Sequence, residues 1–194
     1  MLNEKTQYFD TSKKILNLIP KNGIIAEIGV LRGEFSNQIN ILCNPKKLYL
    51  IDCWEEQDDE KYLLDTYNEG DEQTHEENYI NVLKTFINKD NVKIIKAKSD
   101  LASKLFDRNF FDMVYLDASK YHEDVTKDLD SWYPLVKYSG LLCCSNYENI
   151  EDKSSIQVND AVNKFCIKNN LFISYMTFEK NSFFAISKPN LKLF

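Results

Sequence analysis

The chain has 194 residues, enough for one domain with a sizeable core. Hydrophobic residues make up 43% and charged ones 28%, the balance of a globular protein rather than of a disordered or fibrous one. The net charge of −6 argues against nucleic acid as the main partner, because phosphate contacts need clustered Lys and Arg. Cysteines stand at positions 43, 53, 143, 144 and 166. Their odd count and spacing fit no metal knuckle, so reduced thiols and a cytoplasmic location are expected. The polar start leads us to expect no signal peptide, and no apolar run approaches the roughly 20 residues of a membrane helix.

Apolar positions Tyr8, Ile15, Leu16, Leu18 and Ile19 predict an N-terminal helix over 4–19, ended by Pro20 and Gly23. Ile24–Ile28 reads as a buried strand, and Gly29 and Gly33 follow it. The pattern then turns helical, with Phe35, Ile39, Leu42 and Cys43 on one face. Gly29 lets the backbone approach a ligand that a side chain would block. The helix start adds free N–H groups, and Glu27 at the strand end can take a positively charged group. The spacing Glu-x-Gly-x-x-x-Gly lacks the middle glycine of the dinucleotide fingerprint, which disfavours a nicotinamide oxidoreductase. No Gly-Lys-Ser/Thr follows, so it is not a Walker loop. It resembles the first motif of class I S-adenosylmethionine (SAM) methyltransferases, where the acid and the glycine turn hold the methionine part of the cofactor.

Lys47–Asp52 is the second strand, ending in an acid about 20 residues beyond the turn. Asp52 is placed either to accept both ribose hydroxyls or to cap the segment after it. A polar insert over 54–78 holds eleven Asp or Glu residues. Its aromatic residues Trp54, Tyr62 and Tyr67 and its His75 read as a lid or as a solvated acidic loop. Tyr79–Phe86 predicts a helix with Leu83 and Phe86 inward. Asn91–Ala97 is the third strand. Of the next pair, Asp100 suits a helix cap and Ser99 an adenine contact. Phe111–Asp117 is the fourth strand and again ends in an acid. A helix over 125–137, a helix-ending Ser139-Gly140 turn and a fifth strand, Leu141–Cys144, follow. A helix over 158–169 and a closing hairpin complete the chain. This alternation implies an α/β three-layer sandwich: a doubly wound, mostly parallel seven-stranded, Rossmann-like sheet with a C-terminal antiparallel hairpin.

Together these stretches resemble a small class I SAM-dependent methyltransferase. The group is that of bacterial small-molecule methyltransferases of sugar and polyketide biosynthesis. The resemblance rests on Glu27–Gly33, Ile51-Asp52-Cys53-Trp54, Phe111–Asp117, Glu123–Leu129, Trp132–Val136 and Gly140–Leu142. It implies a single methyltransferase domain over 1–194, with an N-terminal helix over 1–20 and a lid-like insert over 54–78. It implies SAM as cofactor, held by Glu27, Gly29, Gly33, Asp52, Cys53, Trp54, Ser99 and Asp117. That group has Asp-Gly-x-His after strand four and His-Asp after strand five. Here Asp117-Ala118-Ser119-Lys120 and Ser145-Asn146 stand instead. Asp-x-x-Lys resembles the catechol- and caffeoyl-coenzyme-A-type O-methyltransferases. By that likeness Asp117 and Asn146 are candidate ligands of a Mg²⁺ ion, and Lys120 is a candidate base. Ser145, in place of an aspartate, weakens the metal reading. The catalytic candidates are Lys120, Asp117 and His122, with Lys120 or His122 as base. The function expected is methyl transfer to an oxygen of a small-molecule acceptor. Transfer to nitrogen, or SAM or nucleoside binding without catalysis, are the alternatives. No nucleic-acid or membrane partner is expected, and the oligomeric state is left open, a homodimer included.

Overall fold

The structure is a computed structural model and describes residues 1–56, 72–147 and 154–190. Eight strands form one sheet: β1 (Gln7–Phe9), β2 (Ile24–Ile28), β3 (Lys47–Asp52), β4 (Val92–Lys96), β5 (Phe111–Leu116), β6 (Val136–Cys144), β7 (Tyr175–Thr177) and β8 (Phe184–Ser187). The main helices are α1 (Ser12–Leu16), α2 (Glu34–Cys43), α3 (Glu72–Phe86), α4 (Ser99–Ala102), α5 (His122–Trp132) and α6 (Ser154–Asn169). The strand order is β1-β7-β8-β6-β5-β2-β3-β4. Strands β2 to β6 pair in parallel, and β8 runs antiparallel to both β6 and β7.

Successive strand residues point to opposite faces, and the core divides accordingly. Ala26, Ile28, Val114, Leu116, Leu142 and Cys144 pack with Val125, Leu129 and Trp132 of α5 and Val162 and Phe165 of α6. Ile25, Leu48, Leu50, Met113, Tyr115 and Cys143 pack with Ile15 and Leu16 of α1, Ile39 and Cys43 of α2, and Val82 and Phe86 of α3. Helices therefore cover both faces, the expected three-layer sandwich. Neighbouring Cys143 and Cys144 lie on opposite sides of the sheet, and none of the five cysteines is joined in a disulfide.

The structure corrects four local expectations. The N-terminal segment is not one helix: Gln7–Phe9 pairs in parallel with Tyr175–Thr177 and adds an eighth strand. The Thr6 hydroxyl donates to the Ile173 carbonyl at 2.8 Å, and the Gln7 N–H donates to the Ser174 carbonyl at 2.9 Å. An unpaired sheet edge claims backbone groups that a local helix would otherwise use. In α3, Val82 and Phe86 turn inward, while Leu83 is 38% exposed. The helix expected to reach 137 stops at Trp132, where a short 3₁₀ turn, Tyr133–Leu135, precedes β6. Pro134 in that turn has no N–H to continue an α-helix. Ser139 and Gly140 then lie inside β6, where its pairing with β5 shifts register, and do not form a helix-ending turn. Tyr62, Tyr67 and most of the acidic insert lie outside the described residues. Among the described residues, no helix is long and apolar enough to cross a membrane.

Candidate active site at the carboxyl ends of the strands

Strand order reverses between β2 and β5, and ligands of open α/β sheets sit at the carboxyl ends beside such a reversal. Glu27, Asp52 and Asp117 all come to that end. Glu27 pairs in register with Leu50, two residues before Asp52. The Asp117 N–H donates to the Ile28 carbonyl at 2.8 Å.

Glu27 is 1% exposed, and its Oε2 is buried without a hydrogen-bond partner. Burial pushes its carboxyl well above the ordinary range, and the charges of Asp117, Asp52 and Glu34 push the same way. The Ser36 hydroxyl opposes the shift, yet its Oγ lacks a hydrogen bond of regular geometry. Two adjacent buried polar atoms thus lack partners, and a cationic donor would satisfy the carboxyl. A SAM amino group would meet that need, so the residues present fit the cofactor.

The other predicted residues chiefly build the turn. Asp52 Oδ2 accepts the N–H groups of Val30 and Leu31 at 2.8 and 2.9 Å, and Oδ1 accepts that of Trp54 at 2.9 Å. With two acceptor sites on each oxygen, Oδ1 keeps one lone pair beyond its bond to Trp54. Trp54 is 1% exposed, donates its indole N–H to the Leu31 carbonyl at 2.9 Å and packs against Tyr79. Cys53 is partly exposed and its Sγ faces the Glu55 carbonyl. Gly29 has φ +86°, and a Cβ there would lie 2.4 Å from the Asp117 carbonyl oxygen. This glycine therefore admits the neighbouring strand end; closeness to a ligand is not its first demand. Gly33, with φ +81°, precedes the first turn of α2.

At the end of β5 the side chains form a closed ring. The Lys120 ammonium donates to Asp117 Oδ1, and the Ser145 hydroxyl donates to the same oxygen at 2.7 Å. Lys120 Nζ also donates to Ser145 Oγ at 3.3 Å. The Tyr115 hydroxyl donates to Asp117 Oδ2 at 2.8 Å. The Tyr115 ring is stacked on Phe183 at 5.3 Å and lies 4.5 Å from Phe35. Its phenol is pushed well up, by burial first and by Asp117 second. Sequence reasoning missed Tyr115, which as an alternate residue of a buried strand reads as core. Asn146 is buried, with φ +61°. His122 opens α5 and looks toward α6: its Nε2 lies 3.1 Å from Asp160 Oδ2, and its backbone N–H donates to Gln157 Oε1.

Ser99 is enclosed in a second relay. Its hydroxyl donates to Asp128 Oδ1 and accepts the Trp132 indole N–H at 2.8 Å. Burial raises the Asp128 carboxyl to about 6. Because the folded value exceeds the unfolded one, the associated stability is complete below about pH 4 and is lost as pH rises through about 6. Asp128→Asn should therefore stabilise the protein above pH 6, by on the order of 2 kcal/mol, and leave it unchanged at pH 4. Thermal melts of both proteins across this range check the sign.

The fold is shared with known structures. Residues 26–147 match a family described as a methyltransferase domain. A comparison with curated proteins gives no match. Among solved structures, a Corynebacterium glutamicum protein aligns with a TM-score of 0.64 at 12% identity, over 94% of this chain and 82% of that one. Aeropyrum pernix fibrillarin, solved with natively bound SAM, aligns with a TM-score of 0.61 at 10% identity, over 90% and 74%. A Staphylococcus aureus protein provisionally described as a caffeoyl-CoA O-methyltransferase aligns with a TM-score of 0.61 at 17% identity, over 90% and 80%. At these identities the structures share the fold. The family match spans more than half of the sequence and includes Glu27, the glycine turn, Asp52, Asp117, Lys120 and Ser145, so the chain belongs to the methyltransferase-domain family.

Proposed function

We propose that the chain is a SAM-dependent methyltransferase that acts on an oxygen of a small-molecule acceptor. The observation that carries this reading is the buried, unpartnered Glu27 Oε2 beside the glycine turn, a place made for a cationic amino group. When bound, the cofactor supplies a methyl group on a sulfonium centre. Glu27 would hold its amino group, Oδ1 of Asp52 would accept a ribose hydroxyl, and the hydrogen-bonded cluster around Asp117 at the end of β5 would line the acceptor's place. These groups position and desolvate the partners, the main requirement of a displacement whose reactive group the cofactor carries. Fibrillarin holds SAM on the same fold, and the Staphylococcus aureus protein's description names an oxygen acceptor. Both support the reading.

The test is calorimetry with SAM, then incubation with methyl-labelled SAM and catechol, hydroxycinnamate and hydroxy-acid acceptors. Binding with a Kd of about 1–100 μM, and label recovered on oxygen with release of S-adenosylhomocysteine, is expected. No heat and no thermal shift would remove the cofactor. Label on nitrogen alone would move the acceptor class. Binding without release from any acceptor would favour a nucleoside-binding protein.

A further inference from the structure

The resemblance to metal-dependent O-methyltransferases would place a divalent cation between Asp117 and Asn146. The donor set does not fit one. A hard dication needs several anionic oxygens with free lone pairs. Here both lone-pair sites of Asp117 Oδ1 are filled by Lys120 and Ser145, and Oδ2 holds the Tyr115 hydroxyl. Ser145 supplies a neutral oxygen that already accepts from Lys120 and gives its proton to Asp117. Among the described residues, no group of three His, Cys, Asp or Glu side chains is placed to hold a metal. A dication entering here would also meet the positive charge of Lys120, whose side chain is only 12% exposed and so is poorly screened.

We propose that the Lys120 ammonium is the resident cation of this site, standing in the position of a divalent metal, so that the chain binds none there. The reading rests on the crevice being the methyl-transfer site. An ammonium has three N–H groups. Two go to Asp117 and Ser145, which leaves one for an acceptor oxygen. Held in this way, Lys120 is placed to donate a hydrogen bond to the acceptor oxygen. Asp117 and Ser145 together set the direction of the ammonium.

The experiment titrates Mn²⁺ into the full chain and tracks free Mn²⁺ by electron paramagnetic resonance. S-adenosylhomocysteine is titrated into the same preparation by calorimetry. The expected result is no saturable Mn²⁺ binding by the unchanged protein up to about 1 mM, a weak-site affinity. Lys120→Met combined with Ser145→Asp frees Asp117 and adds a second carboxylate. That variant, checked for folding by circular dichroism, should bind Mn²⁺ at least about tenfold more tightly. The proposal is overturned if the unchanged protein binds one Mn²⁺ below about 0.1 mM and Asp117→Asn abolishes it. It is also overturned if the folded double variant gains no affinity. Should the double variant not fold, the unchanged protein and Asp117→Asn still decide. Failure to bind S-adenosylhomocysteine would sink the methyl-transfer reading and leave the cation result standing.

Discussion

Replacing Glu27 with glutamine should stabilise the free protein and remove its cofactor at the same time. The unfolded chain ionises this carboxyl in the ordinary glutamate range, whereas burial holds the folded one well above it. The stability that Glu27 permits is therefore fully present in acid and is lost as pH rises through the folded value. Near pH 7–8 the folded cofactor-free protein thus carries at Glu27 either a bound proton or an uncompensated buried charge, and glutamine needs neither. The expected gain in Tm is about 2–4 °C per kcal/mol recovered for a chain of this size. The difference between the two proteins should widen as pH rises, the same sign as for Asp128. SAM affinity should fall about 100-fold or more, because a charge-assisted partner is lost from a dry position. Differential scanning fluorimetry with and without SAM reads both effects. A lower Tm together with unchanged affinity would take Glu27 out of the site.

Gly29→Ala should be the most damaging single change in the turn. The added Cβ would lie 2.4, 2.5 and 2.6 Å from the carbonyl oxygen and carbon of Asp117 and the nitrogen of Ala118. All three are backbone atoms, so no side-chain rotation relieves the clash. The positive φ adds strain of its own. A cost of about 3–5 kcal/mol, or a Tm lower by roughly 10 °C, is expected. Gly33→Ala is the control. Its φ is also positive, but its Cβ would meet side-chain atoms of Val82 and Phe86 at 3.3 and 3.4 Å, which can shift. About 1–2 kcal/mol should be lost there. Thermal melts of the two variants side by side make the comparison, and equal losses would refute the argument from backbone contact.

The central strands were legible because each is a short apolar run between turn residues. The acids at three strand ends were legible because a parallel sheet brings such ends to one side. What could not be read depends on partners far along the chain. Gln7–Phe9 becomes a strand only beside Tyr175–Thr177, a pairing that no local pattern announces. Gly29 reads as a ligand-facing glycine until the β2–β5 register brings Asp117 against it. Asp52 reads as a ribose acceptor or a cap, and its bonds to the backbone of Val30, Leu31 and Trp54 depend on how the two turns meet. Ser99 resembles an adenine contact by position alone, and its hydroxyl is engaged by Asp128 and Trp132, 29 and 33 residues away. Short-range spacing located the acids but said nothing of which lone pairs were already in use.

The column formed by Phe35, Tyr115 and Phe183 gives the pocket a remote adjustment screw. Phe183 touches no reacting group, yet its ring lies flat on the tyrosine whose hydroxyl steadies Asp117. A lineage drifting at the C-terminal hairpin could thereby tilt the acid and re-aim the lysine beside it. New acceptor preferences would then arise from mutations that no inventory of pocket-lining residues contains.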